Sequence, residues 1–385
     1  MRLPPPPPAS RREGVGANAK LSRKKLTNNH STFSTNTVTD LRAHSLPELE
    51  ATLAAWGEPR FRARQLYEWL WTKAVTDLDS MSNLSKDLRQ RLREHFTLHT
   101  LREDKVQHSA DGTIKTRWLT WDGHRVESVL IPVPAEERFT VCVSTQVGCS
   151  LTCAFCATGR MGRKRNLEAA EVFDQVVGVN RQCLEAFGRP LTNVVYMGMG
   201  EPLLTYANTM ESIARLTAPP TQGGLGMSAR RITVSTAGIA KMLRKLADDG
   251  FRSNLALSLH AADDAKRNEI MPINETNNLA ALMEALEYFY RKTKNRISYE
   301  YIAFERFNDS LEDAAKLVQL CRRKFPVRVN IIEYNPVDGA AFEKSDENRL
   351  NAFAAYLAKE GVTVTVRRSR GKDIDAACGQ LANKG

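Results

Sequence analysis

Three thiols lie close together in Cys149-Ser-Leu-Thr-Cys153-Ala-Phe-Cys156. Soft thiolates at this C-x3-C-x2-C spacing select zinc or an iron–sulfur cluster. Zinc asks for a fourth protein ligand nearby, and none stands at zinc-finger spacing. A [4Fe–4S] cubane held by three cysteines instead leaves one iron open to a ligand that is not protein. Four further cysteines remain. Cys183 falls in a helical stripe with Val172, Val176, Val179 and Phe187, and Cys321 follows Ala314 and Leu317 in the same way. Both read as buried small hydrophobes. Cys142 lies on a strand just before the triplet, where a core role is the simpler reading. Cys378 sits in a Gly/Ala-rich stretch near the C-terminus. Seven cysteines in 385 residues are too few, and an odd number, for a disulfide scaffold. Reduced thiols in a cytoplasm are expected.

The elements around these thiols alternate regularly. Strands are predicted over Thr140–Ser144, Asn193–Met197, Arg231–Val234, Asn254–Leu257, Arg296–Tyr301 and Val327–Ile332. Helical patterns separate them: Glu168–Phe187, Thr209–Leu216, Ile239–Asp248, Leu279–Lys292 and Leu311–Lys324. A further helix, Glu347–Glu360, and a strand, Val362–Arg367, follow. Such alternation implies a parallel sheet with right-handed crossovers. Six units are fewer than the eight of a closed barrel, so a partial barrel or an open doubly wound sheet is expected. Polar residues recur just after the strands: Gly200-Glu201, Ser235, Ser258-Leu259-His260 and Asn335. Loops at the C-terminal strand ends build active sites in barrel-like folds, and the cysteine loop falls on that same rim. Glycines there allow close backbone approach to a ligand. Glu201 can accept from an ammonium group, and Ser235, His260 and Asn335 can hold a carboxylate or ribose.

The rest of the chain divides by composition. Residues 1–39 read as a disordered, proline-rich tail; seven basic side chains against Glu13 give it +6. Residues 40–103 read as a small helical domain opened by the capping box Ser45-Leu-Pro-Glu48. Its second helix interleaves Arg60, Arg62 and Arg64 with Phe61, Tyr67, Trp69 and Trp71. That pattern suits either the core of a small bundle or a surface on which RNA bases stack. Residues 104–139 read as a β-hairpin extension, with turns at Asp111-Gly112 and Asp122-Gly123. Residues 140–367 form the alternating α/β unit and 368–385 a C-terminal tail. Fifty-five basic against 44 acidic residues leave +11, which favours a polyanionic partner. No run approaches the ~18 apolar residues of a membrane helix, and the N-terminus lacks the apolar core of a secretory signal.

The cysteine triplet resembles that of the radical S-adenosylmethionine superfamily. Gln146-Val-Gly-Cys149, Gly198-Met-Gly-Glu-Pro-Leu203, Ser235-Thr-Ala-Gly238, Ser258-Leu-His-Ala261, Tyr334-Asn-Pro336 and Asp375-Ala-Ala-Cys-Gly-Gln-Leu381 together resemble the dual-specificity 23S rRNA and tRNA adenine-C2 methyltransferase family, over roughly residues 41–382. The resemblance implies a partial (β/α)6 TIM-like barrel. It implies a [4Fe–4S] cluster on Cys149, Cys153 and Cys156, whose open iron chelates S-adenosylmethionine, with two such molecules used per turnover. Gly200, Glu201, Ser235, Ser258, Leu259, His260 and Asn335 become cofactor contacts. Cys378 becomes the methyl carrier, Glu127 the base that removes the C2 proton, and Cys142 the thiolate that releases the product; from the residues alone Glu127 reads as an outward strand carboxylate. The implied partners are 23S rRNA, tRNA and an electron donor such as flavodoxin or ferredoxin, for a cytoplasmic monomer away from membranes. A C8-specific sister family, which confers antibiotic resistance, shares the cluster and both extra cysteines. A zinc-dependent RNA-binding module is a more distant reading.

Overall fold

The computed structural model describes residues 39–384. The expectation for the tail at 1–39 lies outside them, except for Thr39. The helical domain and the sheet belong to one compact unit. Strand β1 (Thr39–Asp40) leads into α1 (Leu46–Ala55), α2 (Phe61–Trp71) and α3 (Lys86–His95), and β2 (Phe96–Thr97) returns parallel to β1. The Ser45 capping box is present, with Glu48 reaching back to the Ser45 backbone. On α2 the two readings of the aromatic residues divide by residue. Tyr67 and Trp71 are buried core, whereas Phe61 is exposed beside the exposed Arg60 and Arg64.

Three antiparallel strands follow: β3 (Arg102–His108), β4 (Ile114–Leu119) and β5 (Arg125–Val133). They extend the main sheet, because β5 pairs antiparallel with β6 (Arg138–Cys142). A small ribbon comes next, β7 (Gln146–Val147) against β8 (Arg165–Asn166), and it encloses the one-turn α4 (Ala157–Arg160). Then come α5 (Ala169–Phe187), β9 (Asn193–Tyr196), α6 (Tyr206–Thr217), β10 (Ile232–Thr236), α7 (Ala240–Asp248) and β11 (Asn254–Ser258). The chain continues through α8 (Asp264–Ile270), α9 (Leu279–Thr293), β12 (Ile297–Ala303) and α10 (Leu311–Cys321). It closes with β13 (Val327–Glu333), α11 (Glu347–Lys359) and β14 (Thr363–Arg367).

The ten-stranded sheet runs β14-β13-β12-β11-β10-β9-β6-β5-β4-β3. From β6 to β14 every pairing is parallel. Each parallel strand is laid beside its predecessor in the same direction. A doubly wound sheet reverses its order at a switch point; this one never does, so it is an open, barrel-type α/β sheet.

The strands' period of two sorts their side chains. Val141, Val194, Val234, Leu255, Leu257, Tyr299, Tyr301, Val329 and Ile331 share a core with Leu243, Leu282, Leu317 and Leu357 of the helices. The residues between them turn away from the helices and are largely polar: Ser235, Ser258, Ser298, Glu300, Asn330, Thr365 and Arg367. Paired positions such as Ser258 with Glu300, and Glu300 with Asn330, lie side by side on that face. Glu300 there accepts from Ser298 Oγ at 2.7 Å and Asn330 Nδ2 at 2.8 Å. The sheet thus presents one greasy face to its helices and one hydrogen-bonding face to a ligand. Among the described residues no helix is long and apolar enough to cross a membrane.

Candidate active site

The cysteine loop leaves the C-terminal end of β6 and is pinned at its base by the β7–β8 ribbon. Gly148 has φ +74° and a Cβ there would lie 2.0 Å from Gly162 O, so only glycine fits the closure. Cys149 is buried; Cys153 and Cys156 are half-buried. Around Cys153 and Cys156 stand Phe155, Ala261, Ile270, Met271, Phe304 and Tyr334. Burial pushes the Cys149 thiol up to about 11, with Cys156 and Glu201 adding to it. Cys153 is shifted the same way by burial and by its two neighbouring thiols. A bound cation reverses that balance and takes the thiolates outright.

The donor spacing discriminates between metals. Sulfurs sharing one zinc at about 2.3 Å sit roughly 3.8 Å apart. Among the described residues, the three-donor group gathered within 4.8 Å is Asp40, His99 and Glu168, away from the cysteines. The three thiols of the loop form no such group, and with no fourth protein ligand at zinc-finger spacing they suit a cluster.

The strand-end residues gather on the same rim, though several are held by protein. Buried Glu201 accepts from Leu203 N at 3.0 Å and Ala237 N at 2.8 Å, and burial raises its pKa. Gly198 and Gly200 make close approaches, but to Val143, Ser144 and Gln146: a Cβ on Gly200 would meet Gln146 at 2.6 Å. Ser235 Oγ and Ser258 Oγ are 3.2 Å apart. Leu259 is buried, and its backbone N–H donates to Glu300 O at 2.9 Å. His260 has φ +55° and its Nδ1 accepts from Ile302 N at 3.1 Å. Burial, with Arg267 nearby, lowers its pKa to about 3, so the ring is neutral. Asn335 Nδ2 reaches Cys378 O at 3.4 Å and so ties down the C-terminal tail.

That tail brings the remote cysteine to the cluster loop. Ala157 N donates to Gly379 O at 2.8 Å and Thr158 Oγ1 to Leu381 O at 2.6 Å. Cys378 is exposed on the polar face, with Arg367, Glu300 and Cys156 near enough to act on its thiol. Cys142 is buried, and after burial the largest influence on its thiol is Cys378. The register carries Glu127 to the same face. Cys142 pairs with Val129, two residues along β5 from Glu127. Lys115 and Arg117 on β4 oppose Val129 and Glu127. Glu127 is 1% exposed. Its Oε2 accepts from Ala382 N at 3.0 Å and Asn383 N at 3.1 Å, and Lys115 Nζ lies 3.7 Å from Oε1. The outward carboxylate expected from the residues alone is a buried anchor of the tail. The other two cysteines lie on helices: Cys183 is buried on α5, and Cys321, expected to be buried, is half-buried at the end of α10.

Sequence reasoning missed Arg267, fully buried on α8. Its guanidinium donates to Leu259 O at 3.0 Å, Ala237 O at 2.5 Å and Asn274 Oδ1 at 2.5 Å. Burial lowers its pKa to about 10, and Cys153 works against that shift. It braces the loops after β10 and β11 beside the cysteines. One arginine on a short polar helix carries no sequence signal that would single it out.

Residues 39–98 match the family described as "Ribosomal RNA large subunit methyltransferase N-terminal domain", and residues 143–318 match the "Radical SAM superfamily". A protein of Christiangramia forsetii named "Probable dual-specificity RNA methyltransferase RlmN" is 51% identical over 345 residues, covering 90% of this chain and 96% of that protein. This chain belongs to the RlmN family. A "Dual-specificity RNA methyltransferase RlmN" of Anaeromyxobacter sp. is 45% identical over 350 residues, covering 90% of this chain and 91% of that one. The crystal structure of a radical SAM methyltransferase from Sphaerobacter thermophilus superposes with a TM-score of 0.84 at 42% identity, covering 90% of this chain and all of that one. Radical SAM membership brings a [4Fe–4S] cluster and S-adenosylmethionine, and Cys149, Cys153 and Cys156 are the residues that fit the cluster.

Anaerobic reconstitution should therefore yield a brown protein with about four irons per chain. Cys153→Ala should lose both colour and iron. Stoichiometric zinc in place of iron in the unmodified protein would contradict the assignment.

Proposed function

We propose that this chain methylates C2 of adenosine in RNA, at the peptidyl-transferase centre of 23S rRNA and 3′ of the anticodon in tRNA. The observation that carries the reading is the seating of the C-terminal tail on the cluster loop, which brings Cys378 within electrostatic reach of Cys142, with Glu127 on the same sheet face as Cys142. The relatives named dual-specificity RNA methyltransferases support the substrate class. Bound at the rim, the cluster and S-adenosylmethionine supply a methyl group and the means to remove hydrogen from an unactivated carbon.

The chain's own residues do the rest. Adenine C2 lies between two ring nitrogens and is too electron-poor to attack a sulfonium methyl. Cys378 therefore carries the methyl carbon on its sulfur and brings it to C2. Glu127 takes the C2 proton, which requires its carboxylate to let go of Ala382 N and Asn383 N. Cys142 then attacks the Cys378 sulfur. The sulfur–carbon bond breaks with its electron pair going to carbon, which takes up a proton to complete the methyl group; a Cys142–Cys378 disulfide remains, and the one electron left over from the hydrogen removal goes to the cluster when bound. An external electron donor, flavodoxin or ferredoxin in class, reduces it. The target base leaves its stack to reach the rim, and the exposed Arg60 at the N-cap of α2, with Phe61 and Arg64 on it, suits the surrounding strand.

Mass spectrometry of nucleosides from RNA treated with the reconstituted enzyme tests the position. The expected product is 2-methyladenosine. 8-Methyladenosine would assign the chain to the sister chemistry, and unmodified RNA from a cluster-loaded enzyme with reductant would overturn the reading.

A further inference from the structure

Away from the cysteines, where the helical domain meets the sheet, three metal-ligating side chains converge. Asp40 ends β1, His99 follows β2, and Glu168 caps the N-terminus of α5. A carboxylate oxygen of each acid and a ring nitrogen of His99 all lie within 4.8 Å of one another. Nδ1 of His99 is 4.0 Å from Oε2 of Glu168. Asp40 is 5% exposed. Its Oδ1 accepts from His99 N at 3.1 Å and Arg42 N at 3.3 Å. Its Oδ2 is buried with no hydrogen-bond partner, and so is Nδ1 of His99. Buried polar atoms are normally satisfied. Here two orphans, both of metal-ligand type, belong to one cluster.

The local charges point the same way. Both nearby guanidinium groups have carboxylate partners of their own, although Arg42 Nε is left without an acceptor. Arg42 makes bonds of 2.6 and 2.9 Å to Asp174, and Arg165 binds Glu171 at 2.7 Å through two nitrogens and Asp122 at 2.6 Å. Arg42 also feels Asp40 and Glu171, and Glu168 is crowded by the like charges of Glu171 and Asp40. Arg42 and the positive end of α5 oppose a cation. With Asp174 and Glu171 taken up by Arg42 and Arg165, Asp40 and Glu168 remain as the two carboxylates with no arginine or lysine ion pair among the described residues.

We propose that Asp40, His99 and Glu168 bind one divalent transition-metal ion of the zinc class. Two carboxylates and an imidazole form a three-ligand set to which water adds the fourth position. Thr97 Oγ1 lies 3.0 Å from Nε2 of His99. By accepting Nε2–H it leaves the Nδ1 lone pair free for the metal, the usual outer-sphere arrangement of a ligating histidine. Trp121 stacks on the His99 ring at 4.2 Å and fixes its plane. Bonds of about 2.0–2.2 Å put ligand atoms roughly 3.4 Å apart, so the donors close inward on the ion when it binds. The Glu168 side chain, 44% exposed, gives the ion its way in. The bound ion joins β1, the segment after β2 and the start of α5, and so staples the helical domain to the sheet. This site is independent of the methyl-transfer reading.

The test uses the full-length, cluster-loaded chain equilibrated anaerobically with zinc sulfate. About one zinc per chain is expected beside the cluster iron. Its X-ray absorption should show nitrogen and oxygen at about 2.0–2.1 Å and no sulfur at about 2.3 Å. Asp40→Asn and Glu168→Gln should each weaken zinc binding at least tenfold, and Thr97→Val about 10–100-fold, with iron content unchanged. Zinc should raise the thermal midpoint of the unmodified chain and not that of Glu168→Gln. Glu168 is partly exposed, so its variant folds whatever Asp40→Asn does. No zinc bound at a concentration of about 100 μM, sulfur in the zinc shell, or unmodified affinity in Glu168→Gln would overturn the proposal.

Discussion

RNA should stay covalently bound to Cys142→Ala protein. In the proposed relay, addition of the Cys378-borne carbon to C2 makes a thioether bridge between protein and RNA, and only a second thiolate resolves it. The fold leaves no substitute. Cys183 and Cys321 sit on α5 and α10, helices that pack on the other face of the sheet, and the remaining three cysteines are cluster ligands. Reaction should therefore stop after about one event per chain. The adduct should survive denaturation, collapse on nuclease digestion to a modified Cys378 peptide, and be missing from Cys142→Ala/Cys378→Ala. Methylated RNA from Cys378→Ala, or free product at the normal rate from Cys142→Ala, would refute the relay.

Glu127→Gln should lower product formation by about 10²–10⁴-fold, the range for loss of a general base. Iron content and methylation of Cys378 should be unaffected. The amide can still accept from Ala382 N and Asn383 N, so the tail keeps its seat. Lys115 loses its carboxylate partner but retains Asp375 O at 3.3 Å. If Glu127 only anchored the tail, Gln, which keeps both backbone contacts, would leave turnover near normal, and any loss caused by a displaced tail would show as lost Cys378 methylation. Peptide mass spectrometry of Cys378 alongside RNA methylation separates the two, and normal turnover by the variant would remove Glu127 from the chemistry.

The local chemistry was legible along the chain because it is written in contiguous residues. A cysteine triplet, a capping box and regular strand–helix alternation depend on spacing and on hydrophobic period, and these survive reading in one dimension. Those features sufficed for the cluster loop, for the α/β class and for the rim on which strand-end residues collect. They left open whether the sheet was barrel-like or doubly wound, because both give the same alternation; the unreversed strand order decided it. Nor could they tell which face of the sheet Cys142 takes, or an outward Glu127 from a buried one. Those distinctions rest on cross-strand register, which sets Cys142 opposite Val129 and Glu127 opposite Arg117, and on the return of the last residues over that face. The Asp40, His99 and Glu168 cluster was invisible for the same reason. Its members come from three separated elements, and only packing of the helical domain on the sheet brings their ligand atoms, two of them orphaned, within 4.8 Å.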